Sequence, residues 1–386
     1  MIVVGAGPAG SVTAWRLADR GASVLLLDRA RFPRDKPCGG GVTIRAARLL
    51  PFSLDPVVED VVDRVELRLR YRRSFLRVRA QPLVLMTRRR RLDAYLVDRA
   101  AAAGVAVHDG VRVTDVRADE RGAAVEVGGT WLEADAVVGA DGANGVTARS
   151  LGLCSEPAHG VALEGNVPHG LVDADRYRSR IVLELGVVPG GYGWVFPKGD
   201  HVNVGVGGWE RVGPTLRAHL ARLCDAHGIS TAQLENVRGH RLPVRRRRAV
   251  LGRGRGLVVG DAAGLVDPFT GDGIFEAFLS AALAADEVTE LLAGRVRGLD
   301  GYNARIRRAL DRQLANAWAA KLALEGLPWP MFTAARSELL QRGLERLARG
   351  ERRRRNDGSG AGDATSADEP AAVVRAVEGH DLDVPG

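Results

Sequence analysis

The chain opens Met1-Ile2-Val3-Val4-Gly5-Ala6-Gly7-Pro8-Ala9-Gly10. Ile2 to Val4 is apolar and β-branched without alternation, the pattern of a strand buried on both faces of a parallel sheet. Gly5, Gly7 and Gly10 then give G-x-G-x-x-G. The first glycine permits a tight turn, the second lets the backbone approach a pyrophosphate, and the third lets a helix pack closely on the strand. Val12, Ala14, Trp15, Leu17 and Ala18 continue as a helix that Gly21 ends, and anions are favoured at its N-terminus. A second strand, Ser23 to Asp28, ends in an acid at the spacing that suits a ribose. Strand, turn, helix, strand and acid together predict a dinucleotide-binding βαβ unit. A glycine turn in an ordinary α/β protein is the plainer alternative. The first strand starts directly at Met1, which leaves open a start further upstream.

A chain of 386 residues can bury a large core and form two or three domains. Lysine and arginine number 55 against 47 aspartate and glutamate, a net charge of +8, with arginine runs at 88–91, 245–248 and 352–355. These runs lack interleaved aromatic residues, which argues against nucleic-acid binding and for solvated faces, with an anionic-lipid or phosphate-facing surface as the second reading. Three separated cysteines, Cys38, Cys154 and Cys224, fit neither a disulfide framework nor a metal site. No apolar run reaches membrane-spanning length. The expectation is a cytoplasmic protein with peripheral membrane contact as an option, and no metal.

Beyond Asp28, two prolines and Gly39-Gly40-Gly41 make residues 29–41 a loop leaving the cofactor-bearing edge of the sheet. Residues 61–69 and 74–78 alternate like antiparallel strands, and residues 88–103 carry helical spacing. Short strands at 105–108, 112–116, 123–127 and 131–133 lead to Ala136-Val137-Val138-Gly139-Ala140-Asp141-Gly142, another buried strand entering a glycine and acid turn. Alternating strands near 161–167, 181–186, 192–196 and 202–206 form an inserted antiparallel sheet. Leu257-Val258-Val259-Gly260-Asp261-Ala262-Ala263-Gly264 is a late core strand, and Gly271-Asp272-Gly273 opens a helix through Leu291. Helices at 302–324 and 333–349 precede a tail, 351–386, whose composition reads as disordered.

Three markers carry a resemblance: Gly5-x-Gly7-x-x-Gly10 with Asp28, Gly139-x-Asp141-Gly142, and Gly260-Asp261 to Gly264 with Pro268 and Gly271-x-Gly273. As a set the chain resembles the p-hydroxybenzoate-hydroxylase-like flavoproteins. Lys36-Pro37-Cys38-Gly39-Gly40-Gly41 and Tyr192-Gly193-Trp194-Val195-Phe196-Pro197-Lys198 make it most similar to their geranylgeranyl reductase group. The resemblance implies an α/β (α+β) fold. A Rossmann-like FAD-binding domain covers 1–150 and 240–295, and an antiparallel-sheet substrate region covers 60–88 and 151–239. A helical region at 296–350 and the tail complete it.

It also implies FAD as cofactor, with NAD(P)H the expected electron donor. Gly5, Gly7, Ala9, Gly10, Asp28, Arg29, Arg89, Asp141, Gly142, Asp261, Gly264, Pro268, Gly271 and Gly273 would bind it. Asp261 would reach the ribityl or pyrophosphate region, and the helix N-terminus at Gly271 to Gly273 would stabilise the reduced, anionic flavin. Arg89 either contacts FAD or is a surface charge. Cys38 is the candidate proton donor to an alkene, directly or through water, or else an inert thiol. Tyr192, Trp194 and Phe196 share one face of a strand that Pro197 ends. With Gly40, that face is either a substrate wall or sheet core. Trp318, Leu322, Leu324, Trp329, Met331 and Phe332 pack in the core, cap the pocket or touch lipid.

The activity so implied is reduction of carbon–carbon double bonds in a prenyl chain of a lipid, diphosphate or quinone. Hydroxylation or halogenation of an aromatic or polyketide-like molecule is the alternative, and a non-catalytic flavoprotein is a third. A halogenase would carry W-x-W-x-I-P where this chain has Tyr192-Gly193-Trp194-Val195-Phe196-Pro197.

Overall fold

The computed structural model describes residues 1–154, 158–244 and 249–337. Ile2–Val4 lies inside a six-stranded sheet, with Leu25–Asp28 and Ala106–Asp109 on one side. On its other side lie Val137–Gly139, Gly256–Val258 and the antiparallel edge Gly252–Arg253. Val3 pairs with both Leu26 and Val138, and Val138 with Leu257, all in parallel register. These four side chains are fully buried, as the unbroken apolar runs require. Helix Pro8–Ala18 packs against helices Ile274–Leu292 and Arg89–Ala102. This layer joins the first and last thirds of the chain in one core that includes Leu17, Ala284 and Val288.

The inserted sheet has seven strands, in the order Glu235–Val244, Ala158–Pro168, His201–Trp209, Tyr192–Pro197, Arg180–Leu185, Arg64–Leu69 and Arg73–Val78. Helix Leu216–Ala226 covers one face, over Val182, Val195, Val204 and Val206. Neither this helix nor strand Glu235–Val244, which runs across residue 240, is among the expected elements. Two three-stranded sheets complete the fold: Val113–Ala118 with Ala123–Val127 and Thr130–Ala134, and Gly41–Thr43 with Val84–Thr87 and Val58–Val62.

At the C-terminal side, helix Gly301–Gly326 is followed by Pro328–Ala334. The helix expected at 333–349 falls mostly outside the described residues, as do the tail and the arginine runs at 245–248 and 352–355. Among the described residues no helix is long and apolar enough to cross a membrane. Nor does any group of three His, Cys, Asp or Glu among them suit a metal ion.

Candidate cofactor and substrate site

The glycine turn closes as its sequence requires. A Cβ on Gly10 would lie 1.8 Å from the Gly5 carbonyl oxygen, so only glycine lets the helix start this close to the strand. Pro8 and Ala9 form its first buried turn. Asp28, at the end of its strand, accepts from the Ala6 N–H (2.7 Å) and the Ala30 N–H (2.8 Å), and Arg29 beside it is exposed. Each carboxylate oxygen retains a second acceptor site for a ribose hydroxyl.

Over this turn lie two guanidinium groups. A Cβ on Gly7 would stand 3.5 Å from Arg34 Nη2 and 3.9 Å from Arg89 Nη2. Arg89 is 7% exposed and donates from Nε and Nη2 to both Asp93 oxygens at 2.7 Å. Arg34 Nη1 reaches the same carboxylate at 3.0 Å. Burial disfavours the Arg89 cation, but Asp93 outweighs it and holds the guanidinium charged. Arg89 is therefore no solvated surface charge. Its neighbour Arg88 turns outward to Glu59 and Asp200. Two cations over a glycine turn at a helix N-terminus fit the pyrophosphate of an adenine dinucleotide.

The late Gly-Asp strand brings in Asp261. Lys36 Nζ lies 3.3 Å from Asp261 Oδ2 and His240 Nε2 3.9 Å, and a Cβ on Gly273 would be 3.3 Å from Oδ1. Burial alone would raise this carboxyl, but Lys36, His240 and Arg89 hold it below the usual carboxylate range. Gly264 caps the turn with φ of +64°, and Pro268 is buried on the way to Gly271 and Gly273, where helix Ile274–Leu292 begins. Asp141 also closes the turn at Gly142: Oδ2 accepts from the N–H groups of Val146 and Thr147 and from the Thr147 hydroxyl.

Tyr192, Trp194 and Phe196 point to one face, with successive ring centroids 6.1 and 6.2 Å apart. Phe196 meets the triple-glycine loop, where a Cβ on Gly39 would lie 2.9 Å from its ring. Trp194 donates to Asn203 Oδ1 at 2.8 Å, and the Tyr192 hydroxyl donates to the Thr270 carbonyl at the entry to the late helix. The aromatic strip thus runs from the Cys38 loop to the Gly271 turn.

Register extends this strip sideways. Trp194 stands beside Leu183, Leu183 beside Leu67 and Leu67 beside Phe75, whose ring is 5.1 Å from Phe332. Leu185 and Leu69 continue from Tyr192 in the parallel row. Three strand spacings make this apolar floor about 14 Å wide.

The Cys38 loop is held from both sides. Its own N–H donates to Glu164 Oε1 at 2.7 Å, while Lys198 Nζ donates to the carbonyls of Gly39 and, at 2.7 Å, Thr87. Gly40 has φ of +71°, and a Cβ there would lie 2.1 Å from Lys198 Nζ, so the triple glycine is needed for this approach. Pro197, buried, ends the aromatic strand and sets Lys198 beside the loop. Lys198, Glu164 and Arg34 are not among the expected site residues. Lys198 closes the aromatic motif and Asp93 stands four residues from Arg89 on a helix, whereas Glu164 and Arg34 leave no such sequence signal.

The FAD binding domain family matches residues 1–317 of this chain. The menaquinone reductase of Mycobacterium tuberculosis is 31% identical over 308 residues, 74% of this chain and 75% of that protein. The chloroplastic geranylgeranyl diphosphate reductase of Nicotiana tabacum is 32% identical over 314 residues, 75% of this chain and 65% of its own length. A crystal structure of a geranylgeranyl bacteriochlorophyll reductase-like protein from Thermoplasma acidophilum superposes with a TM-score of 0.76 at 25% identity, over 84% of this chain and 87% of that one. A flavin-dependent brominase, at 19% identity and a TM-score of 0.71 over 90% and 92% of the two chains, shares the fold.

Proposed function

The chain belongs to the FAD binding domain family, in its geranylgeranyl reductase group, and on that premise we propose that it is an FAD-dependent oxidoreductase saturating carbon–carbon double bonds of a prenyl chain. The chain would be carried by a lipid, diphosphate or quinone, with NAD(P)H or another reductant as donor. The observation that carries this reading is the apolar floor from Trp194 through Leu183 and Leu67 to Phe75. From Trp194 to Leu67, short of the Phe75 end that Phe332 covers, this row is about 10 Å wide, a shape that suits an extended isoprenoid better than a compact aromatic molecule.

When bound and reduced, FAD would supply hydride chemistry. The protein does the rest. Arg34 and Arg89 would hold the pyrophosphate, Asp28 the adenosine ribose and Asp261 the ribityl side, while the N-terminus of helix Ile274–Leu292 would favour negative charge on the ring system. An isolated alkene also needs a proton at its second carbon, placed in the same geometry. Cys38, half-buried at the end of the aromatic strip, is assigned that proton: its S–H bond breaks as the new C–H bond forms. Leu322, Leu327 and Trp329 are exposed at 59, 60 and 43%, with Arg73 lying 4.5 Å over the Trp329 ring. That surface suits contact with anionic lipid.

The test weighs products. FAD-loaded protein receives a chemical or nicotinamide reductant together with geranylgeranyl diphosphate, a geranylgeranylated lipid or a menaquinone. The expected result is a gain of two hydrogens per double bond with at least one probe. Cys38→Ser should slow that gain at least tenfold with FAD content unchanged. An oxygenated product formed only in air would favour the monooxygenase alternative instead.

A further inference from the structure

We propose that Lys198 is a positioning residue that governs the charge on Cys38: its buried ammonium fixes the loop carrying the thiol and balances the negative charge left on Sγ once the proton has gone. Lys198 is 4% exposed, and the acceptors of its hydrogen bonds are neutral carbonyls, those of Gly39 and Thr87. A charge so placed is costly unless it has work to do. Gly40 joins the two groups, since its N–H points at Cys38 Sγ (3.3 Å) and its Cα faces Lys198 Nζ. On the other side of the loop Glu164, half-buried, accepts from the Cys38 N–H.

The charged surroundings are few. Lys198 faces Cys38, Glu164 from strand Ala158–Pro168, Glu59 from strand Val58–Val62, Arg88 at the head of its helix, and His201. Cys38 also faces Arg89. Burial lowers the Lys198 ammonium to about 8, with Cys38, Glu164 and Glu59 pulling it back up and Arg88 down. The lysine therefore remains mostly charged near neutrality and becomes neutral just above it. In turnover the Cys38 S–H proton passes to the substrate carbon, the thiolate is balanced by Lys198, and water restores the proton. That part rests on the function proposed above. The effect on the thiol does not.

The experiment needs no prenyl substrate. FAD-loaded protein is alkylated with iodoacetamide, which attacks as the thiolate forms, and the modified peptide is quantified by mass spectrometry against pH. Cys154 and Cys224 are buried and serve as internal references. Lys198→Met should slow Cys38 alkylation at least tenfold at pH 7 and converge with the wild type above pH 9, where Lys198 itself is neutral. Lys198→Arg should stay within about threefold of the wild type at pH 7. Lys198→Gln keeps N–H donors for the Gly39 and Thr87 carbonyls without the charge, so it should be slowed like Lys198→Met. Equal rates in wild type and Lys198→Met at pH 7 would overturn the proposal. So would a Lys198→Gln protein alkylated at the wild-type rate, a result that decides the matter even if Lys198→Met does not fold. Loss of prenyl reduction with the alkylation pattern intact would instead strike the proposed function alone.

Discussion

Asp93 is the residue on which the cofactor end turns. It is fully buried and holds Arg89 by two hydrogen bonds and Arg34 by a third contact. Two cations gathered over Gly7 repel one another, so the carboxylate between them is what keeps both aimed at the turn. Replacing Asp93 with Ala strands a buried guanidinium, and breaking such a pair costs about 3–5 kcal/mol. We predict that Asp93→Ala lowers stability by that amount in urea unfolding and is purified with little FAD. Arg34→Leu should keep the fold and lose FAD affinity at least tenfold by fluorescence titration. A fully loaded Arg34→Leu protein would remove Arg34 from the pyrophosphate site. Sequence could show the Arg89/Asp93 pair through its helical spacing. It could not show Arg34, whose side chain arrives from a loop with no periodicity.

The late helix Ile274–Leu292 has the same logic written in a carboxyl. Glu276, in its first turn, is 3% exposed; its Oε1 accepts from Gln313 at 3.1 Å and lies 3.9 Å from Arg45. Burial first, then Asp272 and Asp267, push this carboxyl well above its ordinary range, and Arg45 only partly offsets them. The native state therefore keeps a proton that the unfolded chain releases once pH passes the usual carboxylate value. Its contribution to stability is full below that value and is lost as pH rises toward the raised native one. Glutamine has the neutral shape at every pH. Each tenfold gain in proton affinity on folding is worth about 1.4 kcal/mol. Glu276→Gln should therefore match the wild type near pH 4 and exceed it by roughly 1–3 kcal/mol at pH 8. Thermal or urea unfolding across that range checks it, and parallel pH curves would contradict it. The helix itself was legible, because Gly271-Asp272-Gly273 precedes a long apolar run. The state of Glu276 was not, since it depends on helix Gly301–Gly326 and on Arg45, far away in the chain.

Across the whole molecule, three segments about 75 to 235 residues apart meet in one place: the Cys38 loop, the aromatic strand Tyr192–Pro197 and the turn at Gly271. Each was readable by itself, because glycine runs, alternation and terminal acids are local signals. Their meeting was carried by the resemblance, and its details depend on sheet order, which a single sequence does not encode locally. Strand Ala158–Pro168 lies two places from the aromatic strand, with His201–Trp209 between, and this sets Glu164 opposite Lys198 across the loop. The same order lines up Leu183, Leu67 and Phe75 beside Trp194, so the floor proposed to hold the prenyl chain comes from register rather than from any motif. Of the C-terminal aromatics grouped in the sequence, Phe332 is buried against Phe75, Trp318 stacks on Trp209 at 5.7 Å and Trp329 is exposed. One group therefore divides between core and surface. The central claim is that electrons stored in this protein go to a prenyl double bond, and an anaerobic measurement meets it directly. The FAD-loaded protein is reduced with dithionite, excess reductant is removed, and a geranylgeranyl probe is added while the oxidised flavin band is followed. The account predicts that the band returns without oxygen, in step with product two hydrogens heavier. A flavin that stays reduced against geranylgeranyl diphosphate, lipid and quinone probes alike, and reoxidises only when air enters, would contradict it.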